Sequence, residues 1–499
     1  MDEDKKIPDA WLYPPILLLL ANFIYRLIDQ SQMLFFFPLD FNNDVSSYMA
    51  QLHFLDVCGF HNFCPYWYNG FITFKFSPPG WYFFAYPLQL LFQDVKIATY
   101  ISLLIIFLLG FFLLYKLGKS VGFNPLQRII FFALFFANAS AIGNFIRLGR
   151  VNELLGWVLF IPFFFLFYYY KDKRITPFFY LSIPLYAAII LSYHTIGVLS
   201  LFLWLGFLLT RTSFKDSVKT SLSLFFGLLL SSFWLAPFLF TIFTESAIPH
   251  LKQGEWLWYF GAKSIYIQLP AFVTSLAIIL LFYFYLKQKP SRSKLLFFLP
   301  SIGLGALFFL HLTPFFPVLN QIYPDPIIHY FLFFSIFFFL SLDLNFLPKK
   351  LASLVPALLI IITLISIGFN ILHTPFFNPP DSQLEQEFIQ QLSLVDGRFI
   401  MVGDYYPEGP FSKAFYSYAA TRNIPSISGW YPEEKEYSYI ERMAKPHNAF
   451  NQKNCALFKE ELNYFNTTHV FTRDEFCLTL KECGLTKKTQ GARACLYTI

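Results

Sequence analysis

The chain has 499 residues, 56% hydrophobic and 14% charged, with 68 Phe and a net charge of +6. Soluble domains carry about 25% charged residues, so this composition excludes a soluble globular enzyme, a disordered chain and a nucleic-acid-binding domain, and leaves an integral membrane protein. Most of the positive excess falls in short connections between apolar runs, where it reports topology rather than affinity for a polyanion.

A helix crosses the hydrocarbon core in about 20 apolar residues. Eleven stretches read as spans: 11–36, 96–115, 127–146, 152–170, 176–193, 195–210, 218–243, 265–286, 295–313, 328–346 and 351–373. Each is expected to be helical, because lipid offers no partner for a free backbone N–H or C=O. Residues 78–93 are apolar but short and carry three prolines, so they read as a re-entrant or interfacial segment. Arg26 and Asp29 lie within the first span, three apart, a spacing at which they neutralise each other.

Alternate connections hold Lys5 and Lys6; Lys116, Lys119 and Arg128; Lys171, Lys173 and Arg174; Arg211, Lys215 and Lys219; Lys287, Lys289, Arg292 and Lys294; and Lys349 and Lys350. Basic loops face the cytoplasm. The N-terminus is therefore expected to be cytoplasmic and the C-terminal part extracytoplasmic, in a multi-pass plasma-membrane protein. Counting 78–93 as a further span would break the alternation. All six cysteines fall on the outer side, Cys58 and Cys64 in the first outer loop and Cys455, Cys477, Cys483 and Cys495 in the tail. Even numbers in an oxidising space suit disulfides, although free thiols fit the spacing too.

Charge density changes near His373. Residues 374–499 hold 13 Lys/Arg and 15 Asp/Glu, so the chain divides into a membrane domain, 1–373, with a first outer loop at 37–95, and a soluble extracytoplasmic α/β domain, 374–499. In the tail, helical patterns occur at 381–393, 411–420, 432–444 and 455–465, and strand-like runs at 398–402, 424–428, 468–472 and 495–499.

The first outer loop is long and apolar, which usually marks function. Asp44 precedes a helical stretch, 45–55, and HNFCPYWYNGFITFKFSPPGWYFFAYPL follows, dense in aromatics, Pro and Gly. An acid after the first span, a short helix, then P-x-W, G, F, P-P and YPL resembles the GT-C class of membrane glycosyltransferases. It is most similar to the prokaryotic, largely archaeal membrane family labelled "6-pyruvoyl-tetrahydropterin synthase related". The resemblance continues at Arg147-Leu-Gly-Arg150-Val-Asn-Glu153, at Ser192-Tyr193-His194 and at Gly429-Trp430 in IPSISGWYPE. It implies a GT-C-like fold, a polyprenyl-phosphate-linked sugar as donor and a glycan, lipid or protein as acceptor. The oligosaccharyltransferase signature WWDxG is absent, which argues against transfer of a whole glycan to asparagine. Where the family often carries an Arg before the tenth span, this chain has Asp325-Pro-Ile-Ile-His329.

The alternation of basic loops places Asp44, Arg147, Arg150, Glu153 and His194 at outer ends of spans. Ionisable groups near membrane depth are costly and usually functional. A departing phosphate needs a guanidinium, best as a bidentate fork, so Arg150 is the first choice and Arg147 the second. An acceptor hydroxyl needs a carboxylate to take its proton; the resemblance gives that role to Asp44. Glu153 either shares it, binds a divalent cation (Mg or Mn, with Asp44) or pairs with Arg150. His194 either donates to the phosphate or orients an acid. The bland readings are a helix N-cap for Asp44, an i,i+3 ion pair for Arg150 and Glu153, an interfacial anchor for Arg147 and an interhelical hydrogen bond for His194. Asp40, Asp56, His53 and His61 read as polar loop residues.

No P-loop, Rossmann glycine pattern, HExxH, CxxC or GxSxG occurs, and the cytoplasmic loops are too short for a nucleotide-sugar domain. A lipid-presented donor is the economical reading. The alternatives are a transporter or flippase of lipid-linked saccharide, for which no internal repeat is visible, and a non-catalytic scaffold of envelope assembly.

Overall fold

The computed structural model describes residues 9–39, 44–244, 265–310, 312–316, 319, 324–343, 349–379, 382–403, 410–432 and 435–499. Asp40 and the aromatic loop holding Trp256, Trp258 and Tyr259 lie outside them. The helices of the first part are α1 (Tyr13–Gln30), α2 (Val45–Val57), α3 (Gly80–Phe92), α4 (Val95–Leu117), α5 (Pro125–Phe136), α6 (Ala139–Ala141), α7 (Val151–Tyr170), α8 (Ser182–Ser192), α9 (His194–Leu209), α10 (Phe214–Thr244), α11 (Ile265–Lys287), α12 (Arg292–Phe309), α13 (Pro324–Ser341) and α14 (Lys349–His373).

Every expected span contains helix, and the 78–93 segment is the short helix α3. By length and hydropathy, six described helices can each cross a membrane, and a seventh if α5 and the segment after it form one bent span. The apolar helices α8, α9 and α13 are shorter than such a crossing. The chain is thus an integral membrane protein, and these criteria do not reach a count of eleven.

Capping residues set where these helices begin. The Asp94 carboxylate accepts from the N–H groups of Lys96 (2.7 Å) and Ile97 (3.3 Å) at the start of α4. Asn124 and Gln127 exchange hydrogen bonds as a capping box for α5, with Pro125 at its first position. The 127–146 stretch, expected as one span, is bent by 52° after Phe136. Asn138 causes the bend: its amide donates to the carbonyls of Leu134 and Phe135, while its Oδ1 accepts from the N–H of Ala141. One side chain thus closes the old helix and opens the next. A π-helical turn, Ile142–Arg147, follows and leads into α7.

Helix α7 is central. Buried over 83% of its apolar stretch, it packs on α4, α8 and α9, and Phe164 meets Phe333 and Phe337 of α13 edge-on at centroid distances of 5.0 and 5.1 Å. Such edge-to-face pairs are how a phenylalanine-rich core gains specificity without polar groups. Leu229 on α10 and Ile361 and Ile365 on α14 are exposed, as lipid-facing residues would be.

Beyond α14 come helices α15 (Gln383–Leu392), α16 (Pro410–Ala420), α17 (Tyr437–Asn451), α18 (Cys455–Tyr464) and α19 (Phe476–Glu482). They accompany a four-stranded sheet. The strands β1 (Phe63–Cys64) and β2 (Phe71–Ile72) form a hairpin in the 37–95 loop, whereas β3 (Phe399–Met401), β4 (His469–Arg473), β5 (Thr486–Gln490) and β6 (Ala494–Thr498) build the C-terminal sheet in the order β3-β4-β6-β5. β3 runs parallel to β4; the other two pairings are antiparallel. The structure departs from the sequence reading at three places. Residues 424–428 touch β3 only through a bridge at Ser426, and β5, an edge strand reading TKKTQ, was not foreseen because its Lys-rich sequence has no apolar face. The helix expected at 432–444 begins at Tyr437. The cysteines pair as Cys58–Cys64, Cys455–Cys483 and Cys477–Cys495.

The 37–95 loop and the C-terminal part share one core. Phe54, Trp67, Tyr68 and Phe71 are buried with Ile400, Ile427 and Val470. The indole of Trp67 donates to the Tyr416 carbonyl (3.3 Å), and the 424–428 segment spends its backbone on the loop: Ser426 N–H on Tyr66 O (3.0 Å) and Asn69 N–H on Ser426 O (3.2 Å).

Candidate active site

The sequence Arg147-Leu-Gly-Arg150 is the turn between the π-helix and α7. Gly149 has φ +69°, and a Cβ there would lie 2.5 Å from Val45 Cβ. Only glycine lets the start of α2 dock on this turn, where Val45 N–H donates to the Leu148 carbonyl (3.0 Å). That docking brings Asp44 to Arg150. Asp44 precedes α2, yet its side chain caps nothing; its Oδ2 lies 3.2 Å from Arg150 Nε.

Arg150 is the hub. Its Nη1 donates to Asp325 Oδ2 at 2.6 Å and lies 4.0 Å from Glu153 Oε2, the expected i,i+3 pair. Glu153 is fully buried; the Trp157 indole donates to its Oε1 at 3.3 Å, and its Oε2 has no hydrogen-bond partner among the described residues. His329, one turn after Asp325, donates Nδ1–H to the Asp325 carbonyl (2.9 Å), and this Nδ1 lies 3.9 Å from Glu153 Oε1. Its ring is enclosed by Phe135, Phe145 and Trp157.

A tyrosine lies beside this cluster. Ser47 Oγ stands 3.0 Å from the hydroxyl of Tyr431, which comes from the C-terminal part. Burial and the neighbouring Asp44 carboxylate hold the Tyr431 phenol well above its ordinary value, so it stays a hydrogen-bond donor.

Of the five residues singled out in the sequence, the structure brings Asp44, Arg150 and Glu153 together. Arg147 turns away: its Nε donates to the Pro375 carbonyl (3.0 Å). Arg26 donates to Thr374 O (2.7 Å) and Pro375 O (3.0 Å), and Asp29, 3.9 Å from Arg26, accepts the Phe377 N–H (2.9 Å). These three side chains fasten the strand of chain leaving α14, a role their pairing in sequence did not reveal. His194 opens α9 with its ring against Phe238 and Trp234 and its Nδ1 buried without a hydrogen bond to any described residue. Among the described residues, no hydrogen bond or ion pair joins it to the cluster. Asp325 and His329 were missed as site residues; an aspartate and a histidine four apart at the head of an apolar helix were the available signal.

Among the described residues no three His, Cys, Asp or Glu side chains gather as metal ligands. Asp44 and Asp325 turn to a guanidinium instead, so the described residues do not fit the divalent cation considered for Asp44 and Glu153.

No family model matches the sequence, and no curated protein does. Solved structures do match. The Archaeoglobus fulgidus oligosaccharyltransferase in its apo form aligns with a TM-score of 0.51 at 11% identity, over 94% of this chain and 70% of that one. The chain shares the fold of that oligosaccharyltransferase. A second structure, archaeal oligosaccharyltransferase AglB from Archaeoglobus fulgidus in complex with an inhibitory peptide and a dolichol-phosphate, gives 0.49 at 11% identity, over 91% of this chain and 69% of that one.

Proposed function

We propose that the chain is a membrane glycosyltransferase that moves a sugar from a polyprenyl-phosphate donor to an extracytoplasmic glycan, lipid or protein. The observation that carries the reading is a single guanidinium, Arg150, held among Asp44, Asp325 and Glu153 beneath the outer loop, in a fold shared with an oligosaccharyltransferase. Arg150 takes the donor phosphate. The acceptor hydroxyl oxygen bonds to the anomeric carbon as that carbon's bond to phosphate oxygen breaks. The electron pair leaves on the polyprenyl phosphate, stabilised by Arg150, and the acceptor proton passes to Asp44. Glu153 and His329 support Arg150 and Asp325 from behind. Similarity to the pterin-synthase-related membrane family rests on the sequence motifs alone.

Topology belongs to the same proposal: eleven spans, a cytoplasmic N-terminus, and a division at His373 into a membrane domain and an extracytoplasmic domain. Ten spans separate the first outer loop from the tail in that scheme, which requires both on one face. Their shared core around Trp67 supports this parity.

Asp44→Asn is expected to abolish sugar transfer from a mixture of polyprenyl-phosphate sugars in membranes while leaving expression and melting temperature near wild type. Retained transfer removes Asp44 as base. Mass spectrometry of lipids bound to the purified protein tests the donor class: the reading requires an isoprenoid phosphate.

A further inference from the structure

Two carboxylates press on one guanidinium. Asp325 Oδ2 is 2.6 Å from Arg150 Nη1, closer than Asp44 Oδ2 is to Nε at 3.2 Å. Even before Glu153 is counted, the described carboxylates touching Arg150 exceed its charge. Asp325 is not a loose surface group. It lies in the first turn of α13, where the helix dipole favours a carboxylate, and its carbonyl is held by His329 Nδ1–H. Arg150 is fixed by the glycine turn before it and by its place at the head of α7. The nearest arginine in sequence, Arg147, is turned to the Pro375 carbonyl. Among the described residues, Arg150 is the cation paired with these carboxylates.

A phosphate therefore reaches the Nη edge of Arg150 only by displacing Asp325 or lying against it. A phosphodiester bears one negative charge, the same as the carboxylate it replaces, so the exchange leaves the charge balance nearly unchanged. A diphosphate brings additional charge to a partly buried cluster in which Arg150 is the cation paired with these carboxylates among the described residues, and like charges at such separations repel strongly. We infer that Asp325 is a specificity-determining residue: it competes for Arg150 and restricts the site to lipid donors joined through a singly charged phosphodiester, excluding diphosphate-linked ones. This rests on the assignment of Arg150 to the donor phosphate.

Two short probes separate the cases without knowledge of the sugar: farnesyl methyl phosphate, a phosphodiester with one charge, and P1-farnesyl P2-methyl diphosphate, its diphosphate-linked counterpart with two. Binding is measured calorimetrically on the full-length protein in detergent. Wild type is expected to favour the diester by about ten-fold or more. In Asp325→Asn the diphosphate should gain about ten-fold and the gap should narrow, whereas Asp325→Glu should keep the preference. Equal or tighter binding of the diphosphate by wild type overturns the inference. So does an unchanged ratio in a folded Asp325→Asn protein, or a need for added Mg²⁺ in diester binding. If Asp325→Asn does not fold, the wild-type ratio and Asp325→Glu decide the matter. Arg150→Gln should lose both probes. Should it retain both, the donor assignment itself falls, an outcome distinct from an unchanged Asp325→Asn ratio.

Discussion

Replacing Arg150 by lysine keeps the charge and removes the fork. The native side chain meets Asp44 through Nε and Asp325 through Nη1, two carboxylates from separate elements. An ammonium is a point charge on a flexible stem and holds one of them at a time. Arg150→Lys is expected to lower donor affinity at least about ten-fold, with a smaller loss of melting temperature; double-reciprocal kinetics in membranes would show the change in KM. Unchanged donor kinetics would remove Arg150 from the site. At this scale the sequence was partly legible. Asp44, Arg150 and Glu153 stood out because ionisable residues are scarce in so apolar a chain. Arg147 and His194 stood out for the same reason, yet they meet a backbone carbonyl and an aromatic wall. Residue type and span end identify polar groups that face protein rather than lipid, but do not say which other group they face.

The 424–432 segment and the β1–β2 hairpin lock at Gly429. A Cβ at that position would lie 2.7 Å from Trp67 Cγ and 2.8 Å from Tyr68 Cε2, and the fully buried indole cannot withdraw. Gly429→Ala should therefore destabilise the protein by about 1–3 kcal/mol, and Trp67→Ala by about 3–5 kcal/mol through the cavity it leaves. Measured in a double-mutant cycle by thermal unfolding, the part of the Gly429→Ala penalty that comes from the indole should vanish in the Trp67→Ala background, the contact with Tyr68 remaining. Additive effects would show that the two do not meet. The motif around Gly429 was visible in the sequence, but its partner lies more than 350 residues away in the chain. Similarly, the helical periodicity of 127–146 was clear, whereas its 52° bend depends on three hydrogen bonds of Asn138 that no apolar pattern encodes.

For the molecule as a whole, two measurements follow. The Arg493 guanidinium, 2.9 Å from both carboxylate oxygens, holds the Asp474 carboxyl below its ordinary value. A depressed folded-state value means the pair stabilises the fold above the unfolded carboxylate range, near pH 4, and that this contribution is lost as pH falls through the lower folded value. Between about pH 5 and pH 2 the melting temperature should drop less steeply in Asp474→Asn than in wild type; parallel curves would show that the pair is uncoupled from folding. Orientation is tested separately: a tag at the C-terminus should be cleaved by protease added to intact cells, and one in the 287–294 connection should be protected. The reverse result overturns the proposed topology.

Composition and hydropathy were enough to establish a helical membrane protein with a charged tail, because burial in lipid constrains every residue of a span and so writes itself along the whole chain. Cysteine placement suited disulfides within the 37–95 loop and within the tail, where the six cysteines pair, for the same kind of reason, a uniform environment acting on local sequence. The cluster around Arg150 was decided by tertiary structure. It needs α2, the glycine turn, α7 and α13 to meet, and the closeness of Asp44, Arg150 and Asp325 arises from packing between elements far apart in the chain, which leaves no periodic trace in any one of them.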